Sequence, residues 1–135
     1  MHPPMTFDLV SPERLLFSKH VSLVTIPGTE GDFGVLVDHA PLIATVRPGV
    51  IEVYPHGQDH APSDRLFVSG GFAEVTPTRC TVLADEAIPV GDLNRAALEA
   101  QKKTLAEKIA TVPEEERAHL LIQQEVVLAK IQAAN

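Results

Sequence analysis

The chain has 135 residues, of which 44% are hydrophobic and 21% charged, and its formal net charge is −7. This composition is typical of one folded domain, or of a small domain with an appendage, and it disfavours wholesale disorder. The acidic balance disfavours binding to nucleic acid, which needs clustered Lys and Arg, and direct adsorption to an anionic lipid surface.

The cysteine count, the apolar runs and the N-terminal residues bear on the cellular compartment in which the chain is expected. The single cysteine, Cys80, excludes an internal disulfide and fits a reducing compartment. No apolar run reaches the roughly 18 residues of a membrane span. Residues 1–5 lack the charged start and apolar core of a signal peptide, and Met5 is an alternative to Met1 as the first residue.

Residues 6 to about 88 are predicted to form β structure. Short runs rich in Val, Ile, Thr and Phe alternate with turn signals such as Arg47-Pro48-Gly49. No segment with a helical period separates these runs, so an antiparallel sandwich or barrel is predicted rather than parallel βαβ units. The predicted strands lie at 6–10, 21–26, 42–46, 50–54, 65–69, 72–75 and 81–84.

The segment 26–36 is the most informative of the predicted turns. It places three glycines and one proline close to two apolar runs, and Pro41 follows shortly after, which predicts a compact turn of defined shape. Two carboxylates, Glu30 and Asp32, stand at its tip. Because no nucleophile and base accompany them, we interpret the segment as a docking loop rather than as a catalytic one.

Residues 92–134 are predicted to form an antiparallel hairpin of two helices. Ala, Leu, Glu, Lys and Gln dominate there, and Asp92 is the predicted N-cap of the first helix. Thr111 and Glu114 have the spacing of a capping box for a second helix, which is predicted to run to about Ala133. We therefore predict domains at 1–88 and 89–135. The apolar positions of the second helix favour a partner, and the alternative is a helical cover for the sandwich.

The remaining motifs give little support to chemistry. His56 and His60 flank Gly57-Gln58-Asp59 in a predicted loop, a spacing that does not indicate a metal site outside a helix. Cys80 has no signature of a catalytic thiol and is expected in or beside the core. The Ser69-Gly70-Gly71 segment is predicted to be a tight hairpin between two strands rather than a phosphate loop. We predict no catalytic residues and no metal.

Six motifs follow one another along the chain. They are Val10-Ser11-Pro12-Glu13 with Phe17, the run from Pro27 to Gly34, His39-Ala40-Pro41-Leu42, Arg47-Pro48-Gly49, the run from Val68 to Val75, and the run from Val82 to Ala87. In this order and spacing, they resemble the epsilon subunit of the rotary F-type ATP synthase, whose mitochondrial counterpart is called delta. The resemblance runs along almost the whole chain, and the two-helix tail adds little specificity.

The resemblance implies an α+β fold, with an antiparallel β-sandwich of about ten strands followed by the helical hairpin. It implies a non-catalytic subunit of the central stalk that couples rotation of the c-ring to the gamma subunit and the catalytic head. In the family, the glycine-rich acidic turn faces the c-ring, which here falls on Glu30, Gly31 and Asp32, with His39 nearby. It also implies a peripheral location on the cytoplasmic face of the bacterial inner membrane, with membrane association only through partner proteins.

The family's hairpin can also regulate. In many bacteria it blocks ATP hydrolysis, through contact with the alpha and beta subunits of the catalytic head, and some members bind ATP at an Asp-x-x-Arg-Ala motif. The letters occur here at Asp92 and Arg95, but an ungapped count from Ala84-Asp85-Glu86-Ala87 places Asn94 and Ala97 at the motif positions. We therefore expect no cofactor, with ATP at Asp92 and Arg95 as the alternative. Two other functions compete with the rotor role. One is a subunit that only regulates the synthase through residues 92–135, and the other is a stand-alone β-sandwich enzyme or ligand carrier.

Overall fold

The computed structural model describes residues 4–57 and 60–134. They form two compact units, one up to Pro89 and one from Val90. The described part of the first unit contains nine strands. These are β1 (Met5–Val10), β2 (Leu15–Gly28), β3 (Gly31–Leu36), β4 (Leu42–Val46), β5 (Gly49–Pro55), β6 (Asp64–Val68), β7 (Gly71–Val75), β8 (Arg79–Leu83) and β9 (Ala87–Pro89).

The strands divide into two groups that share the long strand β2. Its first half pairs with β1, and β1, β8, β7 and β4 follow one another as neighbours. Its second half lies between β3 and β5, and β6 and β9 extend that group. Buried side chains from both groups form one apolar cluster, which is the arrangement of a β-sandwich. The predicted sandwich is thus confirmed, with nine described strands where about ten were expected.

One pairing departs from the antiparallel pattern. β1 pairs with β8 in parallel, whereas every other strand pairing in the described part of the chain is antiparallel. β1 accounts for much of the core because alternate residues face inward, and Met5, Phe7 and Leu9 are fully buried. Its other face, with Thr6, Asp8 and Val10, is partly exposed.

The prediction of a hairpin at Ser69-Gly70-Gly71 was wrong, because the two strands that this turn connects, β6 and β7, do not pair with each other. β6 pairs with β5 and β9, whereas β7 pairs with β4 and β8, so this tight turn carries the chain from one group of strands to the other. Gly70 and Gly71 both have positive φ, at 113° and 145°. Local sequence marks a turn by its glycines, but strand pairing is a long-range property that the turn residues do not specify.

The second unit contains α1 (Arg95–Thr111) and α2 (Glu114–Ala133), joined through Val112 and Pro113. The two helices pack on each other through a small apolar cluster of Leu98, Leu105, Val127 and Ile131. So short a connection reverses the chain, and the predicted two-helix hairpin is confirmed. In the described part of the chain no helix is both long enough and apolar enough to cross a membrane.

Both predicted N-caps of the hairpin were wrong. Asn94 caps α1, where its Oδ1 accepts a hydrogen bond of 3.0 Å from the backbone N–H of Ala97, whereas Asp92 belongs to a preceding 3-10 turn. Thr111 is the last residue of α1, and its hydroxyl donates to the carbonyl of Glu107. A helical residue cannot also take the extended conformation of an N-cap, so α2 starts after Pro113 without a side-chain cap.

Candidate interaction surfaces

The prediction of a turn over the whole segment 26–36 was wrong in extent, because only Thr29 and Glu30 form the turn and the rest belongs to β2 and β3. Gly31 has φ of 126°, and a Cβ on Gly28 would lie 2.6 Å from the carbonyl oxygen of Gly31. The backbone N–H of Thr29 donates to the carbonyl of Thr45 at 3.0 Å, which ties the turn to β4. Thr29 and Glu30 are exposed at the tip. The glycines therefore permit a tight, fixed turn that displays the Glu30 carboxylate.

The two carboxylates of this turn are in different electrostatic situations. The Asp32 carboxylate forms an ion pair with the guanidinium of Arg47, on the connection between β4 and β5. The backbone N–H of Arg47 also donates to the carbonyl of Pro27 at 2.9 Å. Glu30 has no ion pair or side-chain hydrogen bond to any residue that the structure describes. Glu30 is thus the acidic group of the turn that is available to a partner.

His39 does not lie next to this turn. It follows the opposite end of β3, a strand of six residues that spans roughly 17 Å at about 3.3 Å per residue. There Asp38 has φ of 66°, and its backbone N–H donates to the carbonyl of Pro77 at 2.6 Å. The Nδ1 of His39 lies 2.8 Å from the carbonyl oxygen of Ala40. The structure therefore brings together Glu30, Gly31 and Asp32, and it separates His39 from them.

The outer face formed by β1, β4, β7, β8 and the first half of β2 carries an exposed apolar surface that sequence reasoning missed. Cross-strand partners place Phe72 beside Leu83, Leu83 beside Val10, and Val10 beside Leu15. We call these four residues the apolar row, and Ile43 on β4 is exposed on the same face beside it. The exposed fractions are 57% for Phe72, 56% for Leu15, 42% for Leu83 and 76% for Ile43. The signal was present in the alternation of β7 and β8, where Phe72 and Leu83 occupy positions opposite to the buried ones.

A parallel line of mostly polar residues runs beside the apolar row, and we call it the polar row. Its register is Ile43 opposite Glu74, Glu74 opposite Thr81, Thr81 opposite Asp8, and Asp8 opposite Ser18. The Asp8 carboxylate accepts a hydrogen bond of 2.6 Å from the Ser18 hydroxyl and forms an ion pair with Arg79. This face of the sandwich is thus apolar along one line and hydrogen-bonded along the next.

The candidates for ATP binding lie at the start of the hairpin. Asp92 and Arg95 are both exposed, and the Arg95 guanidinium is 3.8 Å from the Glu99 carboxylate one helical turn away. Leu121, Ile122 and Leu128 of α2 are exposed large apolar side chains. The structure therefore gives Arg95 an intrahelical partner and leaves apolar side chains on α2 open to solvent.

The predictions about the histidines and the cysteine have different outcomes. Cys80 is fully buried in the sandwich core, and burial raises the pKa of its thiol to about 12. This confirms the prediction of a core cysteine. Gln58 and Asp59, which stand between His56 and His60, lie outside the described residues. Within the described ranges, no three His, Cys, Asp or Glu side chains are grouped so that they could hold a metal ion.

Comparison with known proteins identifies the family. Residues 4–90 match the family described as ATP synthase, Delta/Epsilon chain, beta-sandwich domain. The chain is 50% identical over 127 residues to the ATP synthase epsilon chain of Rhodospirillum rubrum, which covers 91% of this chain and 92% of that one. The chain belongs to the ATP synthase delta/epsilon family.

Two further comparisons agree with this assignment. The ATP synthase epsilon chain of Rhodospirillum centenum is 54% identical over 123 residues, which cover 87% of this chain and 84% of that one. Among solved structures, a chain of the Euglena gracilis mitochondrial ATP synthase, in a complex of OSCP, F1 and c-ring, matches with a TM-score of 0.84. The match is 25% identical and covers 98% of this chain and 82% of that one. The predicted role of a rotor-stalk subunit of ATP synthase, in a membrane-associated complex, is thereby confirmed.

Proposed function

We propose that the sandwich docks on the gamma subunit through the apolar row and presents the turn with Glu30 to the c-ring. The observation that carries this proposal is the apolar row itself. An apolar patch that crosses four neighbouring strands, with side chains about half exposed, is typical of a protein interface rather than of a free surface. The solved relative from Euglena gracilis was determined in a complex that includes the c-ring, which supports a partner of that kind.

Two separate contacts let the chain transmit rotation. The gamma contact is apolar and broad, which suits a permanent attachment. The c-ring contact is a fixed, charged turn, and a carboxylate at its tip fits basic or polar loops. Asp32 and Gly31 hold the shape of the turn, and Glu30 supplies the free charge. His39, at the other end of β3, belongs to this contact only if the c-ring covers the whole length of that strand.

We propose no catalytic residue and no cofactor for this chain. Two observations support this. Arg95 forms an ion pair with Glu99, and the residue that caps α1 is Asn94 rather than an aspartate. Arg95 and Asn94 are therefore already engaged within the helix. We expect millimolar ATP to leave the unfolding temperature of the isolated chain unchanged. A rise of several degrees would show that Asp92 and Arg95 do hold the nucleotide.

We place the chain on the cytoplasmic face of the bacterial inner membrane, held there by its partners in the synthase. In support, the net charge of −7 opposes direct adsorption to anionic lipid. The hairpin contributes regulation if its exposed apolar side chains on α2 reach the alpha and beta subunits. Its sequence offers only Arg117 and Lys130 as basic residues in α2, which provides little attraction to an acidic surface.

We call the sheet face that carries the apolar row and the polar row the docking face. Binding to the isolated gamma subunit tests it. Leu15→Ala and Phe72→Ala each remove an apolar side chain of the apolar row, and we expect each to weaken binding about tenfold, as for a central interface residue. Leu36→Ala is the matched control, because Leu36 on β3 is also 56% exposed but lies in the other group of strands. Unchanged affinity of the Leu15 and Phe72 variants would show that gamma binds elsewhere.

Proton-driven ATP synthesis in reconstituted membranes tests the c-ring contact. Glu30→Lys reverses the free charge of the turn, and we expect it to lower the synthesis rate while the unfolding temperature stays the same. Thr29→Ser is a conservative control at the same exposed tip. Full synthesis with the Glu30 variant would rule out an electrostatic contact there.

ATP hydrolysis by the synthase tests the regulatory role. The rate with the full chain is compared with the rate of a chain that ends at Pro89 and lacks the hairpin. A higher rate without the hairpin identifies it as an inhibitor. Equal rates with intact coupling assign the working role to the sandwich alone.

A further inference from the structure

One charged side chain of the docking face is without a partner in the part of the chain that the structure describes. Glu74, on β7, is exposed, and no hydrogen bond or ion pair joins its carboxylate to a described residue. The two other charged groups of this face, Asp8 and Arg79, form an ion pair with each other. Arg79 is therefore engaged on the side of the face away from Glu74.

Glu74 lies within the sheet face rather than on an edge strand. β7 lies between β4 and β8, so Glu74 has Ile43 on one side and Thr81 on the other. Phe72 precedes it by two residues and points to the same face, since side chains alternate along a strand. Any partner that covers Phe72 and Ile43 must also cover Glu74.

A carboxylate covered in this way loses its hydration. Burying an ionised carboxylate without a counter-charge is strongly unfavourable, whereas a hydrogen-bonded cation compensates for the loss of water. The neighbouring Asp8 shows how the same face satisfies a carboxylate, with one hydroxyl and one guanidinium. Glu74 lacks both partners until another protein supplies them.

We propose that Glu74 is a specificity-determining residue of this interface and pairs with a lysine or arginine of the gamma subunit. The proposal rests on the docking face proposed above and adds the chemistry of the partner. The partner surface carries an apolar strip that covers Phe72 and Leu83, with a cationic side chain beside it at the level of Glu74. The apolar row supplies affinity, and the charge pair fixes the orientation in which the two subunits dock.

Binding of the full chain to the isolated gamma subunit, measured over a range of salt concentrations, tests this pairing. We expect Glu74→Gln to weaken binding at least tenfold at low salt and to reduce the salt dependence of the affinity. Glu74→Lys places like charges together and should weaken binding by a further factor of about ten. Glu107→Gln removes the same charge from the exposed surface of α1 and serves as the matched control.

The outcomes separate this proposal from the docking face itself. If Phe72→Ala weakens binding while Glu74→Gln does not, the face is correct and the charge pairing is wrong. Tighter binding of Glu74→Gln would also overturn the pairing, because it would mean that the carboxylate is buried without a cation. If Phe72→Ala, Leu15→Ala and Glu74→Lys all bind normally, the docking face is wrong and the pairing fails with it.

Discussion

Glycines at the turns of the chain are constrained in ways that differ from one position to the next. Gly71 has φ of 145°, and a Cβ there would lie 1.9 Å from the carbonyl oxygen of Leu83. Gly31 has φ of 126° but open space around it. Gly91 has neither constraint. Glycine is therefore required at Gly71 by both space and backbone conformation, at Gly31 by backbone conformation alone, and at Gly91 by neither.

We expect alanine at these positions to follow that order. Gly71→Ala should lower the free energy of unfolding by about 3 kcal/mol or more, because backbone strain and a clash with backbone atoms add. Gly31→Ala should cost about 1 kcal/mol from the φ angle alone. Gly91→Ala should cost almost nothing. Thermal unfolding of the three variants measures the series, and equal unfolding temperatures would contradict it.

Cys80 gives a prediction about reactivity and pH. Burial raises the pKa of its thiol to about 12, so the folded chain holds it protonated at pH 8. We expect a thiol reagent to label Cys80 only after denaturant unfolds the sandwich. Rapid labelling of the folded chain would contradict its place in the core.

The same group makes stability depend on pH. Its pKa is raised from an ordinary value of 9.0, so the stabilising effect is complete below pH 9 and declines as pH rises toward 12. The Cys80→Ala variant lacks this thiol, so its free energy of unfolding should fall less between pH 9 and pH 12 than that of the wild-type chain.

At the scale of elements, Asn94 is the side chain that caps the N-terminus of α1, whereas α2 starts without a side-chain cap. Asn94→Ala removes the cap of α1 and should destabilise the hairpin by about 1 kcal/mol. Asp92→Ala and Thr111→Ala are the matched controls, because neither side chain caps a helix. Loss of helical circular dichroism on heating measures the effect, and a Thr111 variant as unstable as the Asn94 variant would contradict the observed cap.

The elements that were predicted well are those whose period is set locally. Alternation of apolar residues located β7 and β8, and the absence of Gly and Pro located both helices, because these patterns depend on residues close in sequence. The turn at Gly70 and Gly71 was located too. Its role in joining two different groups of strands was not, since pairing partners lie far along the chain.

At the scale of the molecule, the core of the sandwich is formed within the first unit. Its buried cluster comes from the strands of that unit, with Ala87 of β9 packed against it. β9 pairs with β6 through Ala87, Ile88 and Pro89. The end of β9 therefore matters for where a shortened chain can stop.

We expect a chain that ends at Pro89 to fold cooperatively without the hairpin. A chain that ends at Glu86 lacks β9 and should unfold at a temperature lower by several degrees, since about 1 kcal/mol corresponds to roughly 4–8 °C for a domain of this size. Calorimetry of both chains tests this. An unfolded Pro89 chain would contradict the independence of the sandwich and the domain boundary predicted after residue 88.

The sequence by itself determined the fold class, the family resemblance and the acidic turn, because periodicity, turn residues and motif order are properties of neighbouring residues. It did not locate β3 or β9. Only the tertiary structure showed that Phe72, Leu83, Val10 and Leu15 lie in one line, since they come from four strands joined by long-range pairing. It alone paired Asp32 with Arg47, separated His39 from Glu30, and left Glu74 without a partner in the described part of the chain. Which side chains meet across a sheet depends on strand register, and register is fixed by the packing of the whole core.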